Sequence, residues 1–202
     1  MNLESASESR HFYGAAPPSK PPMLVGIAGP KGSGKTTIAR RLEKRGYRHV
    51  AFAGPIKRML VGLYGHRIET EDRKELPIAH GVSTRQLMQS LGDWGRSIHP
   101  DFWVACMAEN IKFVRQFTGN DVRFCIADVR YDNEADWIRQ RHGVILRITG
   151  TCSYSGEHSS ETGLTPHPRD VLLNPAAYWD NEHALDGILT AVVGGCPYAH
   201  AS

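Results

Sequence analysis

The chain is poor in cysteine, in long apolar runs and in net charge, and each shortage argues against a class of protein. Its four cysteines, Cys106, Cys125, Cys152 and Cys196, are scattered and form no C-x-x-C pair, so neither a zinc site nor a disulfide framework is indicated. No stretch is long enough to cross a bilayer, and the amino-terminal segment lacks the apolar core of a signal peptide. We therefore expect reduced thiols and a cytoplasmic location.

Charge is nearly balanced. Lys and Arg number 24 against 21 Asp and Glu, a formal charge of +3 that gives no reason to expect a nucleic-acid polymer or a membrane as partner. The length of 202 residues fits one α/β domain with a sizeable core. We expect a flexible, proline-containing leader over residues 1–22, one domain over residues 23–193 and a loose tail over residues 194–202.

What the chain does contain is a phosphate-binding loop in its required context. The eight residues from Gly29 to Thr36 read GPKGSGKT and fit the pattern G-x-x-x-x-G-K-[ST]. An apolar run precedes them and a helical pattern follows. In such a loop the backbone amides and the helix N-terminus surround the phosphates of a nucleotide. The residues expected to bind it are Gly29, Lys31, Gly32, Ser33, Gly34, Lys35, Thr36 and Thr37.

Apolar runs alternate with helical patterns along the rest of the chain. Strands are predicted at residues 23–28, 47–53, 122–127, 144–148 and 171–173, and helices at 37–45, 54–63, 83–91, 101–117, 131–141 and 181–193. A break is predicted at residues 92–100, and residues 65–82 are interpreted as either a flap or a surface insertion. This alternation predicts a three-layer P-loop NTPase-type α/β fold, with a parallel sheet of about five strands and helices on both faces.

Ligands of such a sheet lie beyond the carboxyl ends of its strands, where Lys35, Asp128 and Arg130 are expected to meet. A carboxylate that ends an apolar strand, as Asp128 does, is placed to hold Mg²⁺ together with the Thr36 hydroxyl. The alternative for Asp128 is a helix-capping role. Arg130 can bridge phosphates with its planar fork, or it can pair with Asp132 or Glu134.

A second set of residues lies on two helices. Lys57 and Arg58 begin the helix that follows the second strand, and Arg85 and Arg96 bracket the next helix, which also carries Gln89 and Trp94. These six residues are the candidates for binding an acceptor. Arginine suits a phosphate, an amide can read a base edge and an indole can stack on the base. The alternatives are solvated surface charges for the cations and core packing for the tryptophan.

Six segments together resemble a known family. They are GPKGSGKT at 29–36, FAGPIKR at 52–58, TRQLMQSLG at 84–92, PDFW at 100–103, ADVRYDNEA at 127–135 and HSSE at 158–161. The chain in this respect resembles the bacteriophage deoxynucleoside monophosphate kinases over roughly residues 23–193. The most specific element is the run ADVRYDNEA, because the phosphate loop alone occurs in many unrelated families.

The resemblance implies a P-loop kinase fold related to adenylate kinase and transfer of the γ-phosphate of ATP to a deoxynucleoside monophosphate. Lys35, Asp128 and Arg130 would be catalytic, and Thr36 and Asp128 would hold Mg²⁺. Arg58 and Arg85, with Lys57 or Arg96, would clamp the acceptor phosphate. A member from a bacteriophage would act in the host cytoplasm, and a homodimer is a further expectation that no residue of the sequence specifies.

Two other functions remain open at this stage. One is a small-molecule kinase such as dephospho-coenzyme A kinase, whose acceptor is a sugar hydroxyl and for which Asp128 would be the candidate base. The other is a nucleotide-operated switch or assembly factor. The chain lacks the N-K-x-D motif of guanine switches.

Overall fold

The apolar runs that the sequence predicts as strands form one parallel sheet. The structure is a computed structural model that describes residues 20–66, 76–79, 81–149, 163–178 and 182–194. Its strands and helices, in chain order, are β1 (Leu24–Ala28), α1 (Lys35–Glu43), β2 (Tyr47–Val50), α2 (Gly54–Tyr64), β3 (Pro77–Ala79), β4 (Val82–Ser83), α3 (Thr84–Ile98), α4 (Phe102–Thr118), β5 (Arg123–Val129), α5 (Asp132–Gln140), β6 (Val144–Ile148), β7 (Val171–Leu173) and α6 (Glu182–Val193).

Within the described residues, the main sheet has five strands in the order β2-β5-β1-β6-β7, and every neighbouring pair is parallel. The strand before the phosphate loop, β1, is therefore central and buried along its whole length. Parallel strands need crossover connections, and helices supply them on both faces of the sheet. The predicted fold class is confirmed.

The period of two along β1 divides the core into two layers. Val25 and Ile27 point to the layer that α1 and α6 cover, where they pack with Ile38 and Leu189. Leu24, by contrast, belongs to the layer under α4 and α5. Because neighbouring strands are parallel, their carboxyl ends lie together at one edge of the sheet, between these two layers.

A third apolar cluster joins α2, α3 and α4 beside the sheet. Ile56 and Leu60 of α2 are buried against Trp103 at the start of α4, and apolar side chains of α3 pack on them. Ser83 caps α3: its hydroxyl accepts from the Gln86 amide at 3.3 Å, while the Gln86 side chain accepts from the Ser83 amide at 2.9 Å.

The predicted break at residues 92–100 begins too early, because α3 continues to Ile98 and only residues 99–101 separate it from α4. Two glycines within the predicted break, Gly92 and Gly95, are buried inside the helix. A Cβ at Gly95 would lie 2.6 Å from the Trp103 ring, and the Trp103 indole donates to the Gly92 carbonyl at 2.8 Å. These glycines permit close packing of α3 on α4 instead of ending the helix.

Other differences concern segment ends. The short antiparallel pair β3–β4 lies in the segment that the sequence left undecided between a flap and an insertion, and residues 67–75 and 80 of that segment lie outside the described residues. The predicted leader and tail lie outside as well, except for residues 20–22 and Gly194. At the leader's end, the Pro22 carbonyl accepts from the Tyr47 hydroxyl at 2.8 Å.

Candidate active site

The loop between β1 and α1 turns tightly through glycines and encloses the ammonium group of Lys35. Gly32 and Gly34 have φ angles of 78° and 89°, a region that glycine enters without steric cost. Gly34 is the N-cap of α1 and supplies no capping side chain, so the first amides of the helix have no side-chain acceptor from it. Lys35 Nζ donates to the carbonyls of Gly29 and Pro30 at 2.6 and 2.5 Å. The ammonium group is therefore held inside the loop.

This loop opens into a cavity of about 580 Å³ at the carboxyl ends of β1, β2 and β5. Most of the predicted site residues line it, namely Lys31, Gly32, Ser33, Gly34, Lys35, Thr36, Thr37, Lys57, Arg85, Gln89, Arg96, Asp128 and Arg130. They come from separate parts of the chain, and the sheet brings them together. Three predicted residues, Gly29, Arg58 and Trp94, are not among the residues lining the cavity.

Asp128, near the end of β5, spans the gap to the start of α2. Its Oδ1 accepts from the Phe52 amide and its Oδ2 from the Ala53 amide, both at 2.9 Å. The carboxylate thus fixes the turn from which α2 begins. Each oxygen keeps a further lone pair, so these bonds are compatible with a bound cation on the cavity side. The helix that Asp128 secures is α2 and not the α5 that follows it in the sequence.

Residues on one side of α3 form a stripe that lines the cavity. Arg85, Gln89, Gly92 and Arg96 follow one another at intervals of four, three and four, which places them on one side of the helix. Trp94 is five residues beyond Gln89, or about 140° around the helix. It is half exposed and packs edge-on against Phe102, at 5.7 Å between ring centroids. The structure therefore places Trp94 away from the cavity, and the expected base stacking has no support from its position.

Lys57 and Arg58 are both exposed at the first turns of α2. Lys57 lines the cavity. Arg58 lies over its own helix start, where a Cβ at Gly54 would be 3.5 Å from the guanidinium. Adjacent residues of a helix point about 100° apart, which is why the structure separates the two cations.

Glu134 lines the cavity, although the sequence indicated it only as part of the ADVRYDNEA run and as a possible partner of Arg130. It is 5% exposed and accepts through Oε2 from the amides of Arg130 at 2.8 Å and Tyr131 at 3.2 Å. Burial, reinforced by the charge of Asp128, raises the pKa of its carboxyl to about 7. Its place at the third position of α5, where a Glu can bond back to the preceding amides, is the signal that could have identified it.

Two more side chains of the 128–135 segment connect different parts of the site. Asp132 accepts from the Thr165 amide at 2.9 Å and its hydroxyl at 2.7 Å, and the Thr165 hydroxyl is the main cause that lowers the pKa of the Asp132 carboxyl. Asn133 donates to the Pro100 carbonyl at 3.0 Å and to Asp101 Oδ1 at 2.8 Å, next to the start of α4. The segment is therefore a junction that joins the sheet edge to α2, α4 and residues 163–170.

An apolar wall completes the cavity. Side chains of Phe52, Ile56, Met88, Trp103 and Tyr131 line it among the charged groups. The sequence alone did not identify these residues as cavity-lining, because a hydrophobic residue that packs and one that faces a ligand have the same local pattern. The HSSE motif at residues 158–161, which the resemblance singled out, lies outside the described residues.

Residues 67–182 match the family model described as deoxynucleotide monophosphate kinase, which is more than half of the chain. The chain belongs to this kinase family. A protein of Acanthamoeba polyphaga mimivirus that carries the provisional name deoxynucleotide monophosphate kinase is 30% identical over 173 residues. That match covers 78% of this chain and 86% of the relative. The comparisons support the kinase family, whereas a bacteriophage origin stays a prediction.

The extent of the family match bears on the site. Its residues include the α3 stripe and the whole 128–135 segment, but they begin after the phosphate loop. The loop and the matched region are thus independent observations, one of sequence pattern and one of family membership. In this kinase they meet in one cavity.

Proposed function

We propose that this kinase transfers the γ-phosphate of ATP to a deoxynucleoside monophosphate, giving the diphosphate and ADP. The observation that carries the proposal is the cavity itself, in which a phosphate loop faces a helix stripe bearing Arg85 and Arg96. A donor and an acceptor that are both polyanions need cations on both sides. Family membership supports a monophosphate acceptor.

On the donor side, the phosphate loop would hold the β- and γ-phosphates. Gly32 and Gly34 turn backbone amides toward the anion, and Lys35, now bonded to loop carbonyls, would exchange these for phosphate oxygens. The Ser33 hydroxyl is buried without a hydrogen-bond partner among the described residues, a polar group that a phosphate oxygen would satisfy. These features fit a triphosphate.

The donor set also fits Mg²⁺, which kinases bind through one or two protein oxygens and the substrate phosphates. Thr36 and Asp128, which both line the cavity, would hold the ion. The described residues contain no group of three or more His, Cys, Asp or Glu side chains that could bind a metal, so a site made of protein ligands alone is not found there. When bound, Mg²⁺ would neutralise charge on the terminal phosphates.

On the acceptor side, Arg85 and Arg96 would bind the monophosphate, with Lys57 opposite them on α2. Gln89 lies between the two arginines on the stripe and would read a base edge. The apolar wall, apart from Tyr131, whose ring faces the Arg96 guanidinium, would take the faces of the base and the sugar. Arg58 and Trp94 are left out of the proposed acceptor site because they do not line the cavity.

The chemistry needs little from a general base. A phosphate monoester oxygen is already anionic near neutral pH, so it can attack without losing a proton to the protein. What the chain must supply is alignment and neutralisation of charge. Lys35 and Arg130 would stabilise the transferred phosphoryl group, and the arginines of α3 would hold the acceptor in line.

A coupled assay for ADP release tests the proposal. ATP and Mg²⁺ are supplied with dTMP, dGMP, dCMP or dAMP, with each ribonucleotide, or with dephospho-coenzyme A. We expect turnover with at least one deoxynucleotide and a roughly 10²–10³-fold lower kcat for Lys35→Ala, the size of effect that loss of one transition-state donor produces. Phosphorylation of dephospho-coenzyme A alone would reject the proposed acceptor.

The switch interpretation predicts a different pattern. ATP hydrolysis would then proceed without any monophosphate and would rise with a protein partner. Membership of a kinase family favours transfer over such a switch.

Among the described residues, no helix combines the length and hydropathy that a membrane span requires. A cytoplasmic location and a homodimer remain predictions.

A further inference from the structure

Arg96 is held more firmly than an arginine at a helix end usually is. Its guanidinium carbon lies 4.3 Å from the centroid of the Tyr131 ring, within the range of a cation–π contact. One nitrogen donates to Asp93 Oδ1 at 3.0 Å, one turn back along α3. The side chain is 24% exposed although its helix lies at the protein surface.

Gly92 provides the space for this arrangement. A Cβ at Gly92 would lie 2.8 Å from a guanidinium nitrogen of Arg96. The guanidinium therefore occupies the volume that any other residue at position 92 would fill. The ring of Tyr131, the carboxylate of Asp93 and the bare backbone of Gly92 together select one position for a side chain that otherwise has many rotamers.

Tyr131 is itself anchored. Its amide donates to Glu134 Oε2 at 3.2 Å, and the neighbouring amide of Arg130 donates to the same oxygen at 2.8 Å. Glu134 is 5% exposed, so the acceptor of these two bonds is fixed within the core. The backbone that carries Arg130 on the donor side thus also carries the ring that holds Arg96 on the acceptor side.

We propose that Tyr131 is a positioning residue, whose ring holds the Arg96 guanidinium in place to receive the phosphate of the acceptor nucleotide. This inference rests on the proposed function. Stacking engages the face of a guanidinium and leaves its edges for a phosphate, which is a reason for an aromatic ring here rather than a second carboxylate. A carboxylate would compete with the phosphate for the same N–H groups, whereas a ring does not.

The test compares Tyr131→Phe, which keeps the ring, with Tyr131→Leu, which removes it. Calorimetry measures the Kd for dTMP and dGMP without ATP, and steady-state kinetics measures KM for both substrates. We expect Tyr131→Leu to raise Kd and KM for the monophosphate about 3- to 30-fold, the range of a cation–π contact. KM for ATP should change less than about twofold, and Tyr131→Phe should resemble the wild type.

A double-mutant cycle with Arg96→Met, which removes the cation and keeps an unbranched side chain, separates positioning from general packing. If the ring acts through Arg96, then removing the ring after Arg96→Met should have little further effect on Kd. The matched control is Phe113→Leu, at a ring on α4 that is 60% exposed. Circular dichroism and thermal melting check that each variant folds.

The possible outcomes are distinct. Additive effects in the cycle, or equal changes for ATP and the monophosphate, would overturn the role of Tyr131 while leaving the kinase proposal intact. If the wild type binds dTMP or dGMP but forms no ADP with any acceptor, the kinase proposal fails. The Kd values of the Tyr131 variants for the monophosphate then still test the role of the ring. If the wild type neither binds nor phosphorylates a monophosphate, both proposals are wrong.

Discussion

Replacing Asp128 by Asn distinguishes a carboxylate that secures α2 from one that serves only a metal. The side chains of Asp and Asn have nearly identical shapes, but the amide nitrogen of Asn cannot accept a hydrogen bond. One of the two amides, that of Phe52 or that of Ala53, would therefore lose its acceptor and face a second donor. The other amide would keep a neutral acceptor in place of a charged one.

The cost follows from these two bonds. A hydrogen bond to a charged group contributes about 1.5–3 kcal/mol, a neutral one contributes about 0.5–1.5 kcal/mol, and an unpaired buried donor is a further penalty. We expect the free energy of unfolding to fall by about 2–4 kcal/mol. For a chain of this size that lowers Tm by roughly 5–15 °C.

Urea denaturation followed by circular dichroism measures this change, with Asp121→Asn as the control. Asp121 is exposed in the loop before β5, so the same chemical replacement there should change stability by less than about 0.5 kcal/mol. Equal stability of the Asp128→Asn variant and the wild type would refute the reasoning. A loss of turnover without a loss of stability would leave only the metal role.

Three further predictions concern the scaffold. Gly95→Ala should lower the free energy of unfolding by about 1–3 kcal/mol in urea, because its Cβ would lie 2.6 Å from Trp103, whereas Gly62→Ala, with nothing within 4 Å, should be neutral or stabilising. His142→Gly should raise Tm by about 2–4 °C, because His142 has a φ of 56° that costs a side-chain-bearing residue energy, and an unchanged Tm would contradict this. Burial raises the pKa of the Glu134 carboxyl from 4.5 to about 7, so between these two pH values the folded state keeps a proton that the unfolded state has released. The stability of the wild type relative to Glu134→Gln should therefore fall as pH rises from about 4.5 to 7, by at most about 1.4 kcal/mol per unit, and a difference that does not vary with pH would be evidence against it.

The sequence predicted the sheet well because its signals are local. Buried strands such as β1 and β6 are largely apolar runs of five residues, which can be recognised without knowing the rest of the chain. The start of the break predicted at residues 92–100 was wrong for the opposite reason. Whether Gly95 ends a helix or permits close packing depends on Trp103, which belongs to another helix.

The sequence predicted most of the charged residues that line the cavity, but it did not predict the hydrogen bonds that connect them. Spacing alone predicted a phosphate loop at residues 29–36, and the parallel-sheet rule predicted Asp128 beside it, where both line one cavity. No spacing rule shows that Asp128 bonds the start of α2, because residues 52 and 128 meet only in the folded sheet. Trp94 was assigned to the cavity from its neighbours in sequence, although its helical angle from Gln89 turns it away.

The central claim is that the terminal phosphate of ATP is transferred to a deoxynucleoside monophosphate across this cavity. The most direct measurement supplies ATP labelled in its γ-phosphate with each of the four deoxynucleotides and separates the products by chromatography. The account predicts label in a deoxynucleoside diphosphate, and its loss with Lys35→Ala. Label found only in inorganic phosphate, at a rate that no monophosphate changes, would contradict it.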